Sequence, residues 1–355
     1  MKPLLPLPLD ILVFDMDGVL IDVSDSYRKT IAETVQIYLE TCLGFKTRSV
    51  PLITGEYISS FKMAGGFNND WDLTSGLLLF LLSISGLPPL RGQTSFASIE
   101  EIPQYLREQS SRFSWSLTKQ TLQERFFCFA EELKSCGGGL KGVRLLLHKT
   151  RRVSWDGWVC HSGEIDTMNV IKRIFQERYL GQQFVRCYSL RPLFYHGRGD
   201  YLQERLLIPR RILASLRRKA KLGIASGRPR FEAELALRRF KLKPYFGSVV
   251  TLDECQREED RILQRTGKKV KRTKPHPYPL LRVIKEMGFL HPRSAYVGDV
   301  VDDMQAARNP GRKDPVVPIG FVFRSGKEKS LADSLRKAGA HLIIQQPEDL
   351  LRLVS

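Results

Sequence analysis

Two aspartates one residue apart, Asp15 and Asp17, follow the apolar run Ile11-Leu12-Val13-Phe14 and precede Gly18. Carboxylates spaced by two at a strand end can look into the same pocket. One could attack an electrophile while the other handles a proton, with a hard cation held beside them. A lone pair of this kind is also an ordinary acidic turn, so its meaning rests on the rest of the chain. Asp299 and Asp303 stand four apart where Tyr296-Val297-Gly298 runs into Val300-Val301-Asp302. At a turn entering a helix both can face one side, while Asp302 serves as a cap. With Asp15 they form an oxygen-only donor set, which suits Mg²⁺ rather than zinc or copper. Ser226-Gly227-Arg228 closes another short apolar run, where a hydroxyl and free N–H groups could cradle an anion. Lys274 lies beside Pro275 and Pro277, which stiffen the entrance of a helix expected over 280–287. A lysine fixed there can offset charge on a phosphoryl oxygen and on a nucleophile. His276 reads as a surface residue.

Each of these groups needs a strand end to hold it. The run 11–14 has the length and bulk of a buried parallel strand. Further short apolar runs fall at 222–225, 249–252, 295–297, 317–319 and 341–344, with helical patterns between them. Strands alternating with helices predict a parallel sheet with crossover helices, and open sheets of that kind bind ligands at their carboxyl edge. Between the first strand and the others the pattern is helical. Helices are expected over 27–39 (ended by Gly44), over 77–84, over 119–134, and from Ser162-Gly163-Glu164 to about Gly181. Residues 65–71, with Gly65-Gly66, Asn68, Asn69, Asp70 and Trp71, read as an exposed polar loop. Residues 88–163 carry a weak pattern broken at Gly137-Gly138-Gly139 and read as an extra insertion. Trp115, Trp155 and Trp158 fit a core or an interface, and Gly-Arg-Gly-Asp at 197–200 fits a turn. Residues 205–221 suggest an amphipathic helix with a basic outer face.

The 355 residues, 42% hydrophobic and 10% aromatic, describe a globular protein of about two domains. Six scattered cysteines with no CxxC pair exclude a zinc or disulfide framework and suit a reducing compartment. The proline-broken start makes a poor signal peptide. The run 77–87 is too short for a bilayer span, which needs about 20 residues. A soluble cytoplasmic protein without a membrane partner is therefore expected. The formal charge is +18, and residues 205–275 hold 21 basic against 7 acidic side chains. The densest run, RTGKKVKRTK at 265–274, reads as a solvated loop, or as a docking patch for a polyanion such as a nucleic-acid end.

The order DMDG, SGR, KP, GDVVDD at successive strand ends resembles the haloacid dehalogenase-like (HAD) hydrolase superfamily, in a little-characterised branch. The resemblance covers the core at roughly 7–22 and 206–350. It implies an α/β, Rossmann-like parallel-sheet core from residues 1–22 and 205–355. Residues 23–204 would be a mostly α-helical cap inserted as in subfamily I, carrying the insertion at about 88–163. It further implies Asp15 as nucleophile, Asp17 as acid and base, and Ser226, the Gly227 amide and Lys274 around the phosphoryl group. Asp15, Asp17 (through its carbonyl), Asp299 and Asp303 would hold Mg²⁺. The expected activity is hydrolysis of a small-metabolite phosphomonoester through an aspartyl-phosphate, since family members that cleave carbon–halogen bonds lack the second aspartate. Histidinol phosphate, phosphoglycolate and sugar phosphates are candidate substrates. A mutase, a polynucleotide-end phosphatase and a non-catalytic binding protein remain as alternatives. The cap would close over the site and read the leaving group, with Asp22, Lys62, Asn68, Asn69 and Trp71 as candidate contacts.

Overall fold

A computed structural model describes residues 8–46, 52–67, 69–90, 96–308, 315–323 and 328–354. The chain divides into two compact units, Met1–Asp22 with Arg205–Ser355, and Val23–Glu204.

The first unit is built on a six-stranded sheet. Its strands are β1 (Ile11–Phe14), β4 (Lys221–Ala225), β5 (Phe246–Val250), β6 (Ser294–Gly298), β7 (Val316–Phe321) and β8 (Leu342–Ile344), in the order β5-β4-β1-β6-β7-β8. Every pairing is parallel. All four residues of β1 are buried, as expected of a strand covered on both faces. The chain moves outward from β1 through β4 to β5, then returns to the other side of β1 as β6. That reversal is a topological switch point, where the loops after neighbouring strands diverge and leave a crevice. Register fixes what lines the crevice. Phe14 lies level with Ile224 on one side and with Val297 on the other. Asp15, Ser226 and Asp299 therefore leave three adjacent strands at nearly one height.

A two-stranded antiparallel ribbon, β2 (Ile21–Asp22) with β3 (Arg205–Leu206), also belongs to this unit, and Asp22 is paired with Arg205. It corrects the single helix expected over 205–221. Here β3 comes first, the helix covers only Arg210–Arg217, and Lys221 already belongs to β4. The strand expected at 249–252 lies at Phe246–Val250, because Thr251 caps the helix Leu252–Thr266. The basic run follows that helix. Lys268, Lys269 and Lys271 are exposed. The Arg272 amide donates to Glu259, and its guanidinium lies 2.7 Å from the His276 ring.

The second unit is helical around Asp70–Ser83, whose residues Leu73 to Leu82 are all buried. A helix apolar on every side belongs at a centre. Its first turn includes Asp70 and Trp71, so the polar loop expected there is shorter and the helix starts well before 77. Residues 88–163 supply the helices Glu101–Ser110, Lys119–Ser135 and Gly139–Arg151. They share this core, since Phe126 packs 5.3 Å from Phe61 and 5.5 Å from Phe80. The two glycine-rich stretches meet backbone to backbone. The Gly139 amide donates to the Gly65 carbonyl, and a β-carbon on Gly138 (φ +66) would sit 2.1 Å from that oxygen. Trp155 and Trp158 are buried and donate to the carbonyls of Leu87 and Pro88. The helix expected from 162 begins only at Val170, capped by Asn169. The 197–200 stretch leads to a buried Asp200, which accepts from Thr30 and from Nε and Nη2 of Arg178. All six cysteines are free thiols. No described helix is long and apolar enough to cross a membrane.

Candidate active site

At the carboxyl end of β1 the Asp15 amide donates to Val297 of β6, which draws the aspartate toward that strand. Gly18 then turns the chain with φ +72, a conformation that suits glycine. A β-carbon there would lie 2.0 Å from Asp299 Oδ2, so the bare glycine makes room for that carboxylate. Asp15, Asp299 and Asp303 each offer one oxygen within 4.8 Å of the others, an arrangement able to hold a divalent cation.

Lys274 joins this cluster from below. Its Nζ lies 2.9 Å from Asp15 Oδ1, 2.7 Å from Asp303 Oδ1 and 3.0 Å from the Tyr296 hydroxyl. Burial drives the ammonium toward neutrality, but the Asp15 and Asp303 carboxylates more than offset it and hold its pKa well above the ordinary lysine value. Burial raises Asp15 to about 7, against the opposing pull of Lys274. Asp303 is fully buried and surrounded by donors. Oδ1 accepts from Lys274 and Tyr296, and Oδ2 from the amides of Asp299 and Val300. Four donors use most of a carboxylate's acceptor capacity. Asp303 thus positions Lys274 and the Asp299 loop, and direct metal ligation by it would displace one of these donors. Tyr296, hidden in sequence within an apolar strand, brings its hydroxyl to 3.2 Å from the Ala225 carbonyl of β4, so that its single proton is shared between that oxygen and Asp303 Oδ1.

On the β4 side Ser226 is buried and its Oγ accepts from the Arg228 amide at 3.2 Å, leaving its own proton to donate. Gly227 is exposed at the strand end. Asp17 Oδ1 accepts from Arg228 Nε at 2.7 Å and lies 2.5 Å from Nη2. The sequence places Arg228 in the anion cradle but does not reveal that it reaches Asp17.

Asp15, Asp17, Ser226, Gly227, Lys274, Asp299 and Asp303 therefore gather at one sheet edge. Asp22 lies in β2. The remaining candidate contacts have local roles within the helical unit. Asn69 caps the helix at Asp70 by accepting from the Asp72 amide at 2.7 Å, and Lys62 pairs with Asp70 at 2.8 Å. Trp71 meets Phe175 edge-on and lies under Lys172. Asn68 lies outside the described residues. Asn69→Ala should destabilise the protein by about 1 kcal/mol through the lost cap and leave kcat unchanged. Chemical denaturation alongside turnover checks this, and a large rise in KM would restore Asn69 as a substrate contact.

Residues 209–316 match the family model "Haloacid dehalogenase-like hydrolase". An imidazoleglycerol-phosphate dehydratase of Phytophthora nicotianae is 23% identical over 347 residues, 95% of this chain and 50% of that protein. Pyrophosphatase PpaX of Bacillus cereus (strain AH820) is 28% identical over 163 residues, 46% of this chain and 65% of that one. The chain thus spans half to just under two thirds of the length of these relatives. Phosphatase Tt82 from Thermococcus thioreducens shares the fold at 20% identity and a TM-score of 0.50, over 92% of this chain and 99% of that chain. These likenesses make the stretch 209–316, which includes Ser226, Gly227, Lys274, Asp299 and Asp303, similar to haloacid dehalogenase-like hydrolases.

Proposed function

We propose that this protein is a Mg²⁺-dependent phosphatase that hydrolyses a small-metabolite phosphomonoester through an aspartyl-phosphate. The observation that carries this reading is Asp15 held by Lys274 through one oxygen, with a second aspartate two residues on. Lys274 contacts Oδ1, and Oδ2 has no protein partner among the described residues. That oxygen attacks phosphorus, forming the P–O bond to Asp15 as the bond to the leaving oxygen breaks. Asp17 gives its proton to the leaving oxygen. A water then attacks the phosphorus, Asp17 takes its proton, and phosphate departs, leaving Asp15 as a carboxylate. Ser226 Oγ–H, the Gly227 amide and the Lys274 ammonium face the charge on the phosphoryl oxygens. Asp15 and Asp299, with the Asp17 carbonyl, fit a hard cation with oxygen ligands, and Asp303 supports them. Such an ion would supply electrostatic stabilisation of the phosphoryl oxygens. A second aspartate able to protonate a leaving oxygen favours a phosphoester over a carbon–halogen bond, whose departing halide needs no proton, and the phosphatase names among the relatives support the same class.

Phosphate release from a panel of phosphomonoesters, with Mg²⁺ or with EDTA, tests the reading. Turnover of at least one ester with Mg²⁺ and none with EDTA is expected. A folded protein that binds Mg²⁺ yet turns over nothing would overturn it. A second expectation concerns the metal alone. Gly18→Ala places a methyl against Asp299 and strains a left-handed residue by about 1–2 kcal/mol. Mg²⁺ should raise the melting temperature of the wild type and not that of the variant.

A further inference from the structure

We infer that Arg228 is a positioning residue for Asp17: it fixes the acid/base carboxylate through Oδ1 and presents Oδ2 to the leaving group. The inference rests on the phosphatase reading above. Arg228 is among the most deeply buried side chains, at 2% exposure for the residue, while the Asp17 side chain is 31% exposed. A buried guanidinium is costly unless ion-paired and hydrogen-bonded. Here both Nε and Nη2 converge on a single oxygen of Asp17, at 2.7 and 2.5 Å. Asp17 otherwise sits on a tight turn, where the amides of Leu20 and Ile21 both donate to the Met16 carbonyl and the Gly18 amide to Ile21. That turn fixes its backbone but not its carboxylate. Among the described residues Oδ2 has no protein partner. Pinning one oxygen therefore selects both the rotamer and the oxygen that carries the proton. The Arg228 amide meanwhile donates to Ser226 Oγ. The backbone of one residue thus orients a phosphoryl-holding hydroxyl, and its side chain orients the proton carrier. Substituting the side chain leaves the first contact in place.

The test separates substrates by leaving group. An alkyl phosphate needs a proton on its leaving oxygen, whereas p-nitrophenyl phosphate releases a stable phenolate. Arg228→Met should lower kcat on the alkyl ester by about 10²-fold, in the range of general acid–base contributions. In the first step, read as leaving-group release in a single turnover because the later attack of water uses Asp17 for either ester, the p-nitrophenyl ester should lose only a few-fold, with KM for both nearly unchanged. Asp17→Asn should show the same split, and adding Arg228→Met to it should cost little more, because the two act as a unit. Arg228→Lys, or guanidinium added to Arg228→Ala, should recover part of the alkyl-ester rate. Equal losses of that first-step rate on both esters would overturn the inference. So would a rise in KM for both with kcat kept, which would make Arg228 a phosphoryl contact. A wild type inactive on both esters would instead count against the phosphatase reading. In that event a crystal structure of Arg228→Met decides the positioning role, and an unmoved Asp17 carboxylate overturns it.

Discussion

Asp15→Asn should abolish phosphate release while leaving the protein folded. Loss of a covalent nucleophile that works as a unit with its neighbours costs on the order of 10⁴-fold or more in kcat. The amide has the same shape but cannot attack phosphorus, and it is a poorer partner for a cation. Stability should move the other way. Burial raises Asp15 from 3.8 to about 7, so ionising it opposes folding. That cost is absent below the unfolded value near 3.8, grows as pH rises, and is complete above about 7. Asn never pays it, although Lys274 then keeps only Asp303 as a charged partner. With EDTA present, the melting temperature of Asp15→Asn relative to wild type should rise as pH is raised from 5 to 8. A relative melting temperature that falls over that range would show that the lost pairing with Lys274 outweighs the relieved burial.

Lys274→Met should destabilise the core unit strongly. The ammonium bonds Asp15, Asp303 and Tyr296, and Asp303 is fully buried. Removing one partner of a buried charge cluster leaves uncompensated carboxylates and costs about 3–5 kcal/mol. Because the folded lysine pKa is raised, its stabilisation is fully present below the ordinary lysine value and is lost only as pH climbs through the higher folded one. The lysine's own charge is therefore constant through the neutral range. The deficit of the variant should shrink toward acid, where Asp15 takes up a proton. Urea denaturation at pH 5 and pH 8 measures both effects. A loss below 1 kcal/mol at both would mean that water or a cation replaces the ammonium.

The strand ends were legible because their chemistry is local. Apolar bulk followed by Asp-x-Asp-Gly, or by Gly-Asp-x-x-x-Asp, is written in adjacent residues, and a parallel register then aligns those ends without further instruction. Tyr296 was not legible, since inside an apolar strand a tyrosine looks like core, and only the neighbouring strand shows that its hydroxyl reaches Ala225 and Asp303. The Arg228–Asp17 pair spans more than two hundred residues of sequence, so no local pattern announces it. The ribbon β2–β3 has the same cause, as Arg205–Leu206 becomes a strand only where Ile21–Asp22 lies beside it. The helix at Asp70 is a different case. Asn69 with Asp72 three positions on is a readable start signal, but the glycines and polar residues before it suggested a longer loop. Residues 88–163 read poorly because buried positions such as Phe126 pack on Phe61 and Phe80, outside the segment.

The pairing of Asp22 with Arg205 has a consequence for how such a chain can change through descent. The chain leaves the sheet unit at one residue of an antiparallel pair and re-enters at the other, roughly 5 Å away. Everything between is an excursion with almost no net displacement. Its length imposes little strain on the sheet, and closing a longer loop adds only about 0.6 kcal/mol per doubling. The ribbon is thus a seam at which one helical unit can be exchanged, enlarged or trimmed while Asp15, Lys274 and Asp299 keep their places. The chemistry and the part of the molecule outside the sheet unit are free to diverge at different rates.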